Sequence, residues 1–153
     1  MANHIGVIGA GVMGEALIAA LIRSGVSPSE ISFAEKRDDR ANELAERYSI
    51  IHQDLETVAQ NSTVLLLVVK PQDMQTTLAA LSAHISDDCL VISFAAGKTI
   101  TSIAAGLGKS NPIVRVMPNT PALIGKGASG YSLGAGVTSA QRSFVSEFLA
   151  ATG

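Results

Sequence analysis

Short apolar runs alternate with longer amphipathic stretches along the chain. Ile5–Ile8, Ile31–Ala34, Val64–Val69, Leu90–Phe94 and Ile113–Met117 are rich in β-branched and other apolar residues and read as strands. Several are apolar almost throughout, the pattern of parallel strands covered on both faces. Between them, Met13–Ser24 places Met13, Ala16, Leu17, Ala20 and Leu21 at helical spacing. Asp38–Tyr48 reads as a charged amphipathic helix, with Leu44 and Ala45 inward and Glu43, Glu46 and Arg47 outward. Gln72–Ala83 and Thr101–Leu107 are further helices, and Pro71 precedes the first of these, where proline is tolerated. The segment "VTSAQRSFVSEFLAATG" predicts a last helix, capped by Thr138 or Ser139, with Phe144, Val145, Phe148 and Leu149 inward. No repeat, low-complexity tract or linker divides the chain, so residues 1–153 read as one domain. The β-α-β-α order predicts an α/β fold, a doubly wound and mostly parallel sheet with helices on both faces.

The turn after the first strand, "IGAGVMGEAL", holds three glycines in six residues. Gly9 would allow the tight turn, Gly11 a close backbone approach to a pyrophosphate, and Gly14 close packing of helix on sheet. The following helix N-terminus offers free N–H groups and partial positive charge. These features read as a Rossmann-type dinucleotide turn; a glycine-rich corner without a ligand is the alternative. The second strand should end near the adenosine ribose, in "ISFAEKRDDR". Glu35 stands where a carboxylate accepts hydrogen bonds from the ribose hydroxyls of NAD, whereas Lys36 and Arg37 suit the 2′-phosphate of NADP. All three also fit a solvated helix start, so these residues leave the cofactor's phosphate open.

Composition narrows the alternatives. Apolar residues form 47% and charged residues 16% of the chain, which excludes a disordered segment. Eleven basic against thirteen acidic residues argue against a nucleic-acid partner, and 4% aromatic residues without tryptophan argue against base stacking. The single Cys89 fits a reducing compartment, and runs such as "VLLLVV" fall far short of the roughly 20 residues that cross a bilayer. The expectation is a soluble, cytoplasmic protein with no membrane partner. No nucleophile elbow, metal-ligand cluster or Cys/His pair is present, and His4, His52 and His84 are scattered. Cofactor chemistry remains, with no metal.

Ligands of open α/β sheets bind outside the carboxyl ends of the strands. There the chain carries "VVKPQD", "FAAGKT" and "VMPNTP". Ala95, Ala96 and Gly97 would leave room for a flat ring. Pro118 and Pro121 would stiffen the turn that presents Asn119, and Lys70 would meet a phosphate or ribose hydroxyl.

The blocks "IGAGVMGEALIAAL", "VVKPQD", "VISFAAGKTITSI" and "IVRVMPNTPALIGKGASGY", in that order, resemble the pyrroline-5-carboxylate reductase family from the N-terminus to about Ser143. The resemblance implies NAD(P)H-dependent reduction of a cyclic imine carboxylate, 1-pyrroline-5-carboxylate, to L-proline, the last step of proline biosynthesis. It implies NADP as cofactor, with NAD as the alternative. Ile8, Gly9, Ala10, Gly11, Val12 and Met13 would hold the pyrophosphate, and Gly14 completes the turn. Val69, Lys70 and Pro71 would line the ribose and nicotinamide side, with Ala95–Gly97 bordering the nicotinamide. Met117, Pro118, Asn119 and Thr120 would border ring and substrate, Asn119 touching the cofactor as well. Glu35 and Lys36 stand where the family selects the adenosine ribose or its phosphate, and Asp54 falls near a position facing the adenosine. The pattern names no catalytic acid.

Two departures stand out. Val12 precedes Met13 where the family commonly has Asn or Gln, and Gly14 follows it where the family has Ala. The resemblance also implies a helical C-terminal domain that forms a homo-oligomer and closes the substrate site, and the 153 residues do not include it. The chain is therefore expected to bind the cofactor and to turn over little alone. Another two-domain dehydrogenase of the 6-phosphogluconate or 3-hydroxyacid type, or a non-catalytic nucleotide-binding module, are the competing readings.

Overall fold

The computed structural model describes residues 3–117 and 130–152. Its strands are β1 (Ile5–Ile8), β2 (Ile31–Ala34), β3 (Ile51–His52), β4 (Val64–Leu67), β5 (Leu90–Ser93), β6 (Ile113–Met117) and β7 (Gly130–Leu133). Its α-helices are α1 (Val12–Arg23), α2 (Asp38–Tyr48), α3 (Leu55–Asn61), α4 (Met74–Ser82), α5 (Ile100–Leu107) and α6 (Ser139–Ala150). The sheet order is β3-β2-β1-β4-β5-β6-β7, parallel except for the β6–β7 pair. The doubly wound α/β expectation is therefore met.

β1, β4 and β5 are buried along their whole length, which is why the sequence shows apolar runs there instead of alternation. One face carries Leu17 of α1, Ala41 and Leu44 of α2, and Val145 and Phe148 of α6. The other carries Val58 of α3, Leu78 of α4 and Ile103 of α5. The register aligns Ile8 with Ala34 and Leu67, and Leu67 with Ser93. The carboxyl ends of β1, β2, β4 and β5 therefore lie level on one edge.

Several boundaries differ from the sequence expectation. β4 stops at Leu67 and β5 at Ser93, because Val68 and Phe94 already lead into the loops at that edge. The stretch expected as one helix over Gln72–Ala83 opens as a single 3-10 turn, Pro71–Asp73, before α4 begins at Met74. Proline supplies its first position but has no N–H to extend a ladder backward. α1 begins at Val12 and α5 at Ile100, one residue earlier than expected. β3, α3 and β7 have no counterpart in the sequence reading. Thr138 is the cap of α6, and Phe144 lies only half-buried, whereas Val145, Phe148 and Leu149 are buried.

Candidate dinucleotide-binding site

The chain runs from β1 outward to β2 and β3, then crosses back to β4 on the other side of β1. That reversal opens a crevice at the carboxyl ends of β1 and β4. A groove of about 960 Å³ occupies it. One wall is the β1–α1 turn from Ile8 to Val12, another the end of β2 from Ala34 to Arg37, and a third the end of β4 from Val68 to Lys70. Glu15, Asp39, Arg40 and Glu43, His52–Leu55, Asp73 and Thr77 complete the lining.

The three glycines of the turn differ in what demands them. Gly9 has φ +92°, and a β-carbon there would sit 2.6 Å from the Val68 carbonyl oxygen. At Gly14 a β-carbon would run into the carbonyl oxygen of Gly9, so α1 can start this close to the turn only with hydrogen at that position. Gly11 has an extended backbone (φ −72°, ψ −158°), and a β-carbon on it would meet nothing within 4 Å. Neither backbone nor packing requires glycine there. Gly11 is also the N-cap of α1 and provides no side-chain cap, so the first N–H groups of the helix have no side-chain acceptor.

Glu35 is turned toward the glycine turn. Its Oε2 accepts the Ala10 N–H at 2.9 Å and its Oε1 the Arg37 N–H at 3.3 Å. Arg37 is exposed and pairs with Asp39 at 2.8 Å, which raises its pKa through the hydrogen bond and the charge of that carboxylate. Lys36 is exposed and makes no ion pair among the described residues.

Beside the turn, and reaching the groove through Glu15, Arg40 and Glu43, lies a charged cluster that the sequence reading missed. Arg40 Nε donates to the Ala10 carbonyl at 3.0 Å, and its Nη2 donates to the Gly11 carbonyl at 3.2 Å and to Glu15 at 2.7 Å. Arg47 and the Tyr48 hydroxyl also donate to Glu15. Partial burial pushes the Glu15 carboxyl up, but the hydrogen bonds from Tyr48, Arg40 and Arg47 outweigh it and leave the pKa below its ordinary value. Glu43 and Arg47, expected to face solvent alone, are exposed yet tied into this cluster. Arg40, Glu43 and Arg47 recur at i, i+3 and i+7, a charged stripe on one helix face. The signal is in the sequence; the partner, Glu15 on another helix, is not.

His52 packs on the Phe33 ring with centroids 5.2 Å apart, and its Nε2 lies 3.2 Å from the Glu35 carbonyl oxygen. Asp54 lines the groove and also caps α3, accepting the Thr57 N–H at 2.7 Å, which lowers its pKa. Ile8, Gly9, Ala10, Gly11, Val12, Glu35, Lys36, Arg37, Val69 and Lys70 thus converge on one groove. Met13 packs against the core below the turn, and Gly14 is buried. Pro71 lies just past the groove wall, and Ala95–Gly97 follow β5 further along the same edge, with Ala95 buried and Gly97 at φ +72°. Met117 ends β6 with 47% of its surface exposed, while Pro118, Asn119 and Thr120 lie outside the described residues. Among the described residues no group of three metal-ligating side chains occurs, and no helix is long and apolar enough to cross a membrane.

A family model described as NADP oxidoreductase, coenzyme F420-dependent, matches residues 4–97, from the strand before the glycine turn to the loop after β5. The chain belongs to this NADP oxidoreductase family. Within it, the likeness is to pyrroline-5-carboxylate reductases, as the motifs implied. The Pseudomonas aeruginosa protein of that name is 37% identical over 152 residues, covering 98% of this chain and 55% of that protein. A Coxiella burnetii pyrroline-5-carboxylate reductase structure superposes with a TM-score of 0.94 at 32% identity, over 99% of this chain and 57% of that one. The Plasmodium falciparum pyrroline carboxylate reductase, solved with NADP bound, shares the fold at a TM-score of 0.83 and 24% identity, over 99% of this chain and 55% of that one. The chain spans about half the length of the curated relatives it matches.

Proposed function

We propose that this chain is the NADP(H)-binding part of a pyrroline-5-carboxylate reductase, with residues 1–153 forming its Rossmann domain. The observation that carries the binding site is Gly11. It is a glycine that neither its backbone conformation nor its packing requires, in the turn that opens α1. A bare peptide facing an open groove fits a ligand that must approach the backbone closely, which a glycine-rich corner without a ligand does not explain. The likeness of nearly the whole chain to the matched half of named reductases supports the substrate class.

In this reading Ile8–Met13 cradle the pyrophosphate, with Gly14 completing the turn and the N-terminal dipole of α1 facing the negative charge. Lys36 and Arg37 receive the 2′-phosphate; Glu35, committed to the Ala10 and Arg37 N–H groups, is turned away from it and retains free lone pairs for a ribose hydroxyl. Val69, Lys70 and Pro71 hold the second ribose and the nicotinamide side, and Asp54 faces the adenosine. Ala95, Ala96 and Gly97 flank the ring, with Met117, Pro118, Asn119 and Thr120 between ring and substrate. When bound, the reduced nicotinamide supplies the hydride that reduces the imine carbon. The chain's own residues position that donor and leave one face open to the substrate. The small cyclic imine carboxylate, a helical domain that closes over it and a homo-oligomer built through that domain belong to the same proposal.

A chimera tests the reading: this chain in place of the matched N-terminal half of the Escherichia coli reductase, 36% identical over 140 residues. Expected is NADPH-dependent proline formation from pyrroline-5-carboxylate and growth of a reductase-deficient strain without proline. A folded chimera that binds NADPH yet reduces no imine would contradict the substrate assignment. The chain alone should form proline far more slowly than the roughly 1–10³ s⁻¹ usual for whole enzymes.

A further inference from the structure

We propose that Arg40 is a positioning residue for the pyrophosphate turn and not a ligand of the 2′-phosphate. The inference rests on the dinucleotide reading above and concerns which part of the cofactor each cation serves.

Ala10 is held from both sides. Glu35 takes its N–H and Arg40 takes its carbonyl, while Arg40 also takes the carbonyl of Gly11. The described peptides are all trans, so carbonyl and N–H of each peptide point in opposite directions. Binding the Ala10 carbonyl toward α2 therefore turns the Gly11 N–H away from α2. The Gly11 carbonyl also accepts the Glu15 N–H of α1 at 3.0 Å, so that helix and Arg40 together aim the Val12 N–H out of the amino end of α1. Those are the donors a pyrophosphate would meet.

The guanidinium is itself fixed. Two further donors go to Glu15 and Glu43, and its side chain is 17% exposed against 71% for Arg37. Four of its five N–H donors are engaged, and the two on the turn's carbonyls are Nε and Nη2; only Nη1, shared with the half-exposed Glu43, is left to turn to another ligand. Two carboxylates also offset its charge locally, so its contribution lies in geometry more than in field. Lys36 and Arg37, exposed at the end of β2, are left to distinguish NADP from NAD.

The test compares Arg40→Met, Arg40→Lys and Lys36→Ala, each titrated calorimetrically with NADPH and NADH, with backbone amide spectra of the free chain. Arg40→Met should weaken both cofactors by a common factor of about ten, the scale of a lost charge-assisted hydrogen bond. The NADPH-to-NADH ratio should stay unchanged. Arg40→Lys should fall between, because one ammonium cannot span both carbonyls. Lys36→Ala should weaken NADPH alone. In the free Arg40→Met chain the Gly11 and Val12 amide resonances should shift while those of β4 and β5 stay in place. A selective loss of NADPH on Arg40→Met would make Arg40 a phosphate ligand and overturn the proposal. Unchanged affinities with unchanged Gly11 and Val12 amides would overturn it too. Should Arg40→Met fail to fold, Glu15→Gln, which loosens the guanidinium without removing it, should weaken both cofactors by a smaller common factor; no change would again overturn the proposal. If the wild-type chain binds neither cofactor, the dinucleotide reading fails, and the amide shifts still decide whether Arg40 holds the turn.

Discussion

At Gly14 and Gly11 the same substitution should have opposite consequences. Alanine at Gly14 places its methyl against the Gly9 carbonyl, so α1 must shift off the turn. Gly14→Ala is expected to lose about 1–3 kcal/mol of stability, read from its urea midpoint. Gly11→Ala meets no protein atom within 4 Å and should keep its stability within about 0.5 kcal/mol, while binding NADPH much more weakly. A second residue-scale expectation concerns Cys89. Burial, followed by the charge of Asp88, pushes its thiol up to about 12. A thiol reagent at neutral pH should therefore react only as fast as the chain unfolds, and native-state labelling at the rate of a free thiol would show that β5 is more open than described. Sequence alone anticipated the tight turn at Gly9 and the close packing at Gly14, because each leaves its mark as a residue type. It missed Arg40 and Glu15, whose roles arise only when α2 is laid beside α1.

Between elements, the contact of α1 with α2 depends on a charged cluster, which makes it sensitive to pH. The Glu15 carboxyl titrates below its ordinary 4.5 in the folded chain. It therefore contributes stability that is complete above that value and is lost as pH falls through the lowered one. Glu15→Gln should be less stable than wild type at pH 7, and the gap should narrow below pH 4.5, as followed by thermal unfolding across pH. At the other end, the Thr138 side chain accepts the Gln141 N–H in a reciprocal capping box, and Arg23 of α1 binds the Ala151 carbonyl just past α6. Thr138→Ala should cost about 1 kcal/mol, measured by chemical denaturation. Elements that bury both faces, such as β4 and β5, were legible as apolar runs. β3 was not, because Ile51–His52 is two residues long and exposed. β7 was not, because "GYSL" is exposed at the sheet edge and carries no apolar pattern. α3 did carry a signal, Asp54 as its cap, which the sequence reading assigned to the adenosine instead.

Across the whole molecule, sheet order decides where chemistry can happen. The strand order and the aligned carboxyl ends put the glycine turn, the Glu35–Arg37 segment and Val69–Lys70 around one groove, while Ala95–Gly97 and Met117 extend the same edge. The glycine spacing and the alternation of elements made that arrangement readable in advance. The choice between NADP and NAD was not, because Glu35, Lys36 and Arg37 side by side suit either, and the bond of Glu35 to the Ala10 N–H is visible only once β2 is laid beside the turn. Calorimetric titration of the chain with NADPH tests most directly the proposal that the groove holds NADP through the glycine turn. Expected is one saturable site per chain, with tighter binding of NADPH than of NADH and a marked loss in Gly11→Ala. Absence of saturable binding at millimolar NADPH, or full affinity in a folded Gly11→Ala chain, would contradict it.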